Sequence, residues 1–160
     1  MRFPPFIAAT ALGAIVLAAC GSGGSYSSPS AAANTVPPST VATVAAAPVT
    51  TGATSLGRLL VDAKGLTLYG RTPEANGMPT CVDACATAWP PLTVAGSSLP
   101  AGLDARVFSV VPRPDGSYQL KAGKWPLYRF AGDATAGATN GQGSGGVWFA
   151  VTPPGALHKS

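Results

Sequence analysis

The chain contains few of the residue types on which catalysis usually depends. Its 160 residues include one histidine and three cysteines, and charged residues make up only 10% of the composition. The ten Lys and Arg side chains outnumber the six Asp and Glu side chains, but they occur singly along the chain. Because nucleic-acid binding needs clustered positive charge, we expect no nucleic-acid partner.

Hydrolytic and nucleotide-dependent chemistry is poorly supported as well. The histidine, His158, lies next to the C-terminus, so the sequence predicts no Ser–His–Asp or Cys–His set. Residues 141–146 match the glycine spacing of a dinucleotide-binding loop, but residues 147–151 look like a strand where such a site needs a helix. We therefore expect a glycine-rich loop there, no cofactor, and a protein that is not an enzyme.

Long apolar runs are absent outside the N-terminus, where one run follows Arg2 and ends in Leu17-Ala18-Ala19-Cys20. It is shorter than the roughly 20 residues that span a bilayer. The pattern is typical of a bacterial lipoprotein signal peptide, here residues 1–19, and an ordinary secretory signal with a chance cysteine is the alternative. We expect palmitate-type acyl chains on Cys20 to anchor the protein to the outer face of a membrane in the cell envelope.

Charge is also missing from residues 21–54, which consist mainly of Ala, Ser, Thr, Pro, Val and Gly. Such a segment has too few large apolar groups to offset the entropy of ordering it. We therefore predict a disordered tether over residues 20–54, one folded domain over residues 55–155, and a short tail over residues 156–160.

The folded part of the chain contains an internal repeat. A shift of 59 positions aligns residues 57–96 with residues 116–155 without a gap. It matches Tyr69 with Tyr128, Glu74 with Asp133, and the tryptophans at 89 and 148 with each other. We call these two segments copy one and copy two.

The repeat predicts a small, mainly β domain with little helix, in which two hairpin-containing copies pack about a pseudo-two-fold axis. In each copy a strand, a turn with glycine and a second strand follow one another. The strands are predicted at residues 58–62, 66–69, 106–111, 117–121, 125–130 and 147–151, with a turn at 112–116 and one or two helical turns within 81–88 that begin at Thr80 as N-cap.

Two motifs give the chain a recognisable resemblance. Tyr128, Phe130 and Asp133 fit Y-x-[FWY]-x-x-D, and the segment from Cys81 through Cys85, Ala86, Trp89, Pro90 and Pro91 fits C-x3-C-A-x2-W-P-P. In these motifs the chain resembles the predicted bacterial secreted-repeat lipoproteins over about residues 57–155. Copy one departs from the first motif, with Arg71 at the aromatic position and Glu74 in place of Asp. The resemblance implies an extracytoplasmic address but no activity.

The two remaining cysteines, Cys81 and Cys85, predict a disulfide, since an exported domain meets an oxidising compartment. The alternative is a functional site. Met78, Cys81 and Cys85 place three soft sulfur ligands close together, which suits Cu(I) or thiol–disulfide exchange. Copper is thus the alternative to the absence of a cofactor.

The remaining predictions concern the acidic motif residues and Trp125. We expect the ring of Tyr128 to be buried while its hydroxyl bonds Asp133; the alternative makes Glu74 and Asp133 an acid–base pair or a cation site. Trp125 is expected to be exposed and to contact a sugar ring or a partner protein. The sequence thus favours a non-enzymatic binding or structural module that contacts an envelope protein or a cell-wall glycan.

Overall fold

The computed structural model describes residues 48–159, so the signal peptide, Cys20 and most of the predicted tether lie outside the described residues. The described part is mainly β, as expected, with one short helix, α1 (Asp83–Ala88), and short 3-10 helices at Thr72–Glu74 and Ser144–Gly146. Its strands are β1 (Val49–Thr54), β2 (Gly57–Asp62), β3 (Tyr69–Arg71), β4 (Thr93–Val94), β5 (Phe108–Pro112), β6 (Tyr118–Ala122), β7 (Trp125–Pro126) and β8 (Trp148–Ala150).

The folded domain begins earlier than the composition indicates. β1 pairs antiparallel with β2 from Val49 opposite Asp62 to Thr54 opposite Gly57. These six residues were assigned to the tether because they carry no charge, and that boundary is wrong. Val and Thr are β-branched and favour strands, Val49 is buried, and the backbone of β1 satisfies one edge of β2.

The C-terminal boundary is wrong in the same sense. Leu157 forms a β-bridge with Val151, and the N–H of His158 donates to the carbonyl of Ala150 at 2.8 Å. The residues after 155 therefore continue the fold rather than form a separate tail.

The largest sheet has the order β4-β6-β5, and β7 also pairs with β6. In it, β5 and β6 form a hairpin, from Phe108 opposite Ala122 to Pro112 opposite Tyr118. Their connection is closed by a bond from the N–H of Arg113 to the carbonyl of Ser117 at 2.9 Å. The predicted turn at 112–116 is therefore confirmed.

The second strand of each predicted hairpin differs from expectation: β3 begins only at Tyr69, the last residue of the predicted strand, and β7 is shorter than the predicted 125–130. Beyond β7, the N–H of Leu127 donates to Leu120, that of Tyr128 to Tyr69, and that of Arg129 to Pro90. Each of these residues thus pairs with a different segment. The chain runs across several strands instead of along one, which is why no ladder extends to residue 130.

Backbone bonds correct the repeat alignment by one residue. The N–H of Leu68 donates to the carbonyl of Leu60, whereas the N–H of Leu127 donates to that of Leu120. The turn in copy one is therefore one residue longer, and Leu60 corresponds to Leu120 rather than to Gln119. The shift of 59 holds after the turn.

Buried side chains form two clusters. One is aliphatic and is built around Leu60, Leu68, Leu120 and Leu127. The other contains most of the aromatic motif residues together with a cysteine: Leu59, Tyr69, Cys81, Trp89, Tyr128, Trp148 and Ala150. The second cluster is where the predicted site residues meet.

Candidate functional site

The two motif tyrosines lie side by side at the centre of the aromatic cluster. The N–H of Tyr69 donates to the carbonyl of Tyr128 at 2.8 Å, and the reverse bond measures 2.9 Å. Both side chains are fully buried. Matched residues of the two copies are therefore paired reciprocally through their backbones, and the pseudo-two-fold axis itself stays a prediction.

The tyrosine hydroxyls bond the acidic residues of the opposite copy. The hydroxyl of Tyr69 donates to Oδ2 of Asp133 at 2.6 Å, and the hydroxyl of Tyr128 donates to Oε1 of Glu74 at 3.1 Å. The expected bond between Tyr128 and Asp133 is therefore wrong. Because the backbones of the two tyrosines are paired with each other, each phenol reaches the acid of the other copy.

Each carboxylate also holds a loop of its own copy. Oε1 of Glu74 accepts the N–H of Thr80 at 2.7 Å and that of Cys81 at 3.0 Å. Oδ1 of Asp133 accepts the N–H of Asn140 at 2.9 Å. Cys81 and Asn140 are matched by the shift of 59, so the two acids have corresponding backbone partners.

Thr80 is not a helix cap. Its hydroxyl and N–H both bond Glu74, and α1 begins at Asp83 with Val82 as its N-cap residue and no side-chain cap bond. The helical segment itself, predicted within residues 81–88, is confirmed.

Glu74 and Asp133 are not joined by a hydrogen bond, and they share no partner among the described residues. Both are almost completely buried. The second oxygen of Glu74, Oε2, is buried and has no hydrogen-bond partner within residues 48–159. The arrangement gives each acid a separate structural environment rather than one shared acid–base centre.

Burial raises the pKa of Tyr69, and the hydrogen bond to the Asp133 carboxylate raises it further. Burial likewise raises the pKa of Tyr128, together with the charge of Glu74. A phenol whose pKa lies above its ordinary value of about 10 remains protonated at all ordinary pH values. Both tyrosines therefore act as hydrogen-bond donors in the folded protein.

The two matched tryptophans stack on each other. The rings of Trp89 and Trp148 are nearly parallel, with centroids 3.9 Å apart and an interplanar angle of 4°. Tyr69 meets Trp89 edge-on at 5.5 Å, and Tyr128 meets Trp148 edge-on at 5.1 Å. These four rings form one continuous series of contacts, which we call the aromatic chain.

Different residues cover the two ends of the tryptophan stack, which explains why copy one can have an arginine at the aromatic position of the motif. Phe130 packs on Trp89 with a centroid distance of 4.5 Å, and the guanidinium of Arg71 lies 5.7 Å from the centroid of Trp148. Arg71 and Phe130 occupy matched positions. A cation can cover the face of an indole ring much as another ring does, so Arg71 fills the aromatic position by cation–π contact.

The predicted disulfide is present. The sulfurs of Cys81 and Cys85 are bonded, and their Cα atoms lie 5.2 Å apart. Cys81 is buried in the aromatic cluster, whereas Met78 is 49% exposed. In this oxidised state neither cysteine presents a thiolate, the form in which cysteine binds metals. A copper site would therefore require the disulfide to be reduced first.

Arg113 is a central residue that the sequence did not indicate. Its side chain is buried and donates to Oε1 of Gln119 at 2.6 Å, to the carbonyl of Cys81 at 3.0 Å, and to Asp115 at 3.1 Å. It thereby joins the disulfide segment to the β5–β6 hairpin. An arginine between two prolines in a turn normally faces solvent, so no sequence signal was available.

A second ion pair was also missed. Oδ2 of Asp62 accepts Nε of Arg129 at 2.6 Å, and Oδ1 accepts the N–H groups of Lys64 and Leu66. Burial alone would raise the pKa of Asp62, but the bond from Arg129 and the two backbone bonds outweigh it and lower that pKa. Asp62 therefore fixes the turn of copy one to a motif residue of copy two.

Trp125 is buried, with only 8% of its surface exposed, so its predicted exposure is wrong. The tryptophan lies beside Gly70, where an added Cβ would come within 2.8 Å of the Cβ of Trp125 and 2.9 Å of Leu157. The ammonium of Lys124 lies 4.9 Å from the centroid of the Trp125 ring. Trp125 thus packs against β3 and is not an open contact surface.

The other residues of the C-x3-C-A-x2-W-P-P segment have structural roles. Ala86 lies in α1. The carbonyl of Pro90 accepts the N–H of Arg129 at 2.9 Å, and Pro91 forms a β-bridge with Tyr128. The segment thereby brings Trp89 against the motif residues of copy two, where it packs on Phe130.

These contacts define a small, disulfide-bonded antiparallel β domain in which the buried polar groups of two repeat copies bond each other. Residues 109–152, which include most of copy two, match the family model described as "Secreted repeat of unknown function". The match confirms the resemblance to the secreted-repeat lipoproteins, and a secreted repeat lies outside the cytoplasm. No curated protein and no solved structure matches the chain.

Residues 48–159 contain no helix long and apolar enough to cross a membrane. The same residues contain no group of three or more His, Cys, Asp or Glu side chains arranged to hold a metal ion.

Proposed function

We propose that the protein is a lipid-anchored module of the cell envelope, held by acyl chains on Cys20, that binds an envelope component without catalysing a reaction. The observation that carries this proposal is the crossed bonding of the two tyrosines and the two acids. Glu74 and Asp133 hold the matched acidic positions of the two copies, and each accepts a structural hydrogen bond from the tyrosine of the other copy. The disulfide engages the cysteines in the same way.

The surface charge favours an anionic partner. Three of the six acids, Asp62, Glu74 and Asp133, are buried, and Asp104 and Asp115 are paired with arginines. Five cations have no acidic partner among the described residues, namely Arg58, Lys64, Lys121, Lys124 and Lys159. An anionic cell-wall glycan fits this surface better than a neutral sugar does.

Anchoring is tested by replacing the lipidated residue. In cells fed an alkyne-tagged fatty acid, the wild-type chain should carry the tag and sediment with membranes. The Cys20→Ser variant should carry no tag and leave the membrane fraction. The Cys81→Ser, Cys85→Ser double variant is the matched control and should keep the tag. A tag on the Cys20→Ser variant would overturn the anchoring proposal.

Glycan binding is tested by co-sedimentation with purified cell walls. We expect binding at low salt that falls as salt is raised, because surface charges are screened within about 10 Å at 0.1 M ionic strength. The Lys64→Gln, Lys124→Gln variant should bind more weakly. Arg106→Gln is the control, since Asp104 already pairs with Arg106 at 2.9 Å. Equal losses in both variants, or no binding at low salt, would contradict a charge-directed glycan partner.

A further inference from the structure

We propose that the aromatic chain is a one-electron relay, in which Tyr69 is the terminal electron donor and Asp133 accepts its proton. The oxidants it would serve are oxygen-centred radicals and other one-electron oxidants that reach the surface of the domain. This activity goes beyond the proposed envelope role, and it depends neither on the lipid anchor nor on a glycan partner.

The rings provide an unbroken path for an electron. From Tyr69 to Trp89 the centroid distance is 5.5 Å, from Trp89 to Trp148 it is 3.9 Å, and from Trp148 to Tyr128 it is 5.1 Å. Tyrosine and tryptophan are the side chains most easily oxidised by one electron apart from cysteine, and here both cysteines are bonded to each other. The path meets the partly exposed Phe130 at Trp89 and the partly exposed Arg71 at Trp148.

A tyrosine can hold the oxidising equivalent only if its proton has somewhere to go. Loss of one electron makes a phenol strongly acidic, and a buried phenol cannot release its proton to water. Oδ2 of Asp133 lies 2.6 Å from the Tyr69 hydroxyl, and within the described residues it accepts no other hydrogen bond. That distance is within the range for direct proton transfer.

The second tyrosine is less suited to this role. The Tyr128 hydroxyl lies 3.1 Å from Oε1 of Glu74, a longer bond. The same oxygen already accepts the N–H groups of Thr80 and Cys81 and the hydroxyl of Thr80. An oxygen that accepts three other hydrogen bonds is a poor proton acceptor, so the structure assigns the radical to Tyr69.

The oxidant gains one electron from the tryptophan pair, and Tyr69 returns an electron to that pair. The O–H bond of Tyr69 breaks, its proton forms a new O–H bond on Oδ2 of Asp133, and a neutral tyrosyl radical and a neutral carboxylic acid remain. Each molecule thus supplies one electron and retains the proton.

The test uses the purified full chain, photogenerated tris(bipyridine)ruthenium(III) as the oxidant, and electron paramagnetic resonance as the readout. We expect a tyrosyl signal in the wild type and in Tyr118→Phe, because the hydroxyl of Tyr118 in β6 donates no hydrogen bond to a carboxylate in the described part of the chain. Tyr69→Phe should lose most of the tyrosyl signal and show a tryptophan radical instead. Asp133→Asn should form the tyrosyl radical more slowly, since an amide cannot take the proton.

Two further measurements keep the proposal testable if a variant fails to fold. Circular dichroism establishes folding for each variant, and radical formation in the wild type is compared in H2O and D2O. Slower tyrosyl formation in D2O supports transfer of the hydroxyl proton in the oxidation step. An undiminished tyrosyl signal in folded Tyr69→Phe, loss of the signal in Tyr118→Phe, or equal rates in both solvents would overturn the proposal.

Discussion

At the scale of single residues, the structure uses polar side chains to join the two copies. Tyr69 and Tyr128 each reach across to the acid of the other copy, and Arg129 of copy two reaches Asp62 of copy one. Buried polar groups are costly without partners, so each of these bonds also makes separation of the copies unfavourable. The tyrosines and acids that recur in the two copies of this chain are thereby explained as groups that pair the repeats.

Asp62 gives a pH-dependent prediction at this scale. The pKa of Asp62 in the folded protein is below its ordinary value of 3.8, so the unfolded chain takes up a proton at higher pH than the folded one. The contribution of Asp62 to stability is therefore present above pH 3.8 and is lost as the pH falls through the lowered pKa. We expect the free energy of unfolding, measured by urea titration, to decrease on acidification below that pH.

The Asp62→Asn variant isolates this contribution. It should be less stable than the wild type at neutral pH and should lose less stability on acidification, because it cannot be protonated at this site. Lys64→Gln, a substitution in the same turn that leaves the ion pair intact, is the control. An acid dependence that is identical in the wild type and in Asp62→Asn would count against the assigned role.

At the scale of elements, the disulfide and α1 stabilise the segment that begins at Thr80. The N–H groups of Thr80 and Cys81 in this segment bond Glu74. Cys81 bonds Glu74 through its N–H and Arg113 through its carbonyl. The disulfide closes only a short loop, so the chain-entropy model gives a stabilisation of about 2 kcal/mol. The loop is small, but it is attached to two buried charged side chains.

Removal of the disulfide should therefore destabilise the domain by about 2 kcal/mol or slightly more. The Cys81→Ser, Cys85→Ser variant and the reduced wild type should both show this loss in urea titrations. Without reductant, the wild type should take up no Cu(I) from a competing chelator, because neither cysteine offers a thiolate. Copper uptake by the oxidised chain, lost in the double variant, would instead support the metal-binding alternative.

The first strand offers a second test at the element scale. A chain that begins at residue 55 lacks β1 and leaves one edge of β2 unpaired, whereas a chain that begins at residue 48 keeps the hairpin. We expect the shorter chain to be less stable and more easily cleaved by proteases, since an unpaired strand edge loses its backbone hydrogen bonds. Equal stability of the two chains would indicate that the folded domain begins at residue 55, as the composition predicts.

The elements also show what sequence patterns can and cannot predict. β2, β6 and the turn at 112–116 were predictable because short runs of leucine, β-branched or aromatic residues and glycine or proline turns are local signals. The partner of Tyr128 was not predictable, because it depends on how the two copies pair. Trp125 was misplaced because Lys124 precedes it and its matched position in copy one holds a leucine, Leu66, whereas its neighbour in space is Gly70.

At the scale of the whole molecule, the matched tyrosines and tryptophans of both copies meet in one cluster of the described domain, and the tyrosines bond the matched acids. The aromatic chain and the crossed hydrogen bonds involve residues from both copies equally. Neither copy could bury its own polar residues alone, because the partner of each tyrosine belongs to the other copy. This accounts for a tyrosine with an acid five residues later occurring in both copies.

The central claim, that the tyrosine–acid bonds are crossed between the copies, is tested most directly by double-mutant cycles on the free energy of unfolding. The cycles combine Tyr69→Phe or Tyr128→Phe with Asp133→Asn or Glu74→Gln. We predict coupling energies of about 0.5–3 kcal/mol for Tyr69 with Asp133 and for Tyr128 with Glu74, and values near zero for the pairs within one copy. Strong coupling of Tyr128 with Asp133, and none of Tyr69 with Asp133, would contradict the crossed arrangement.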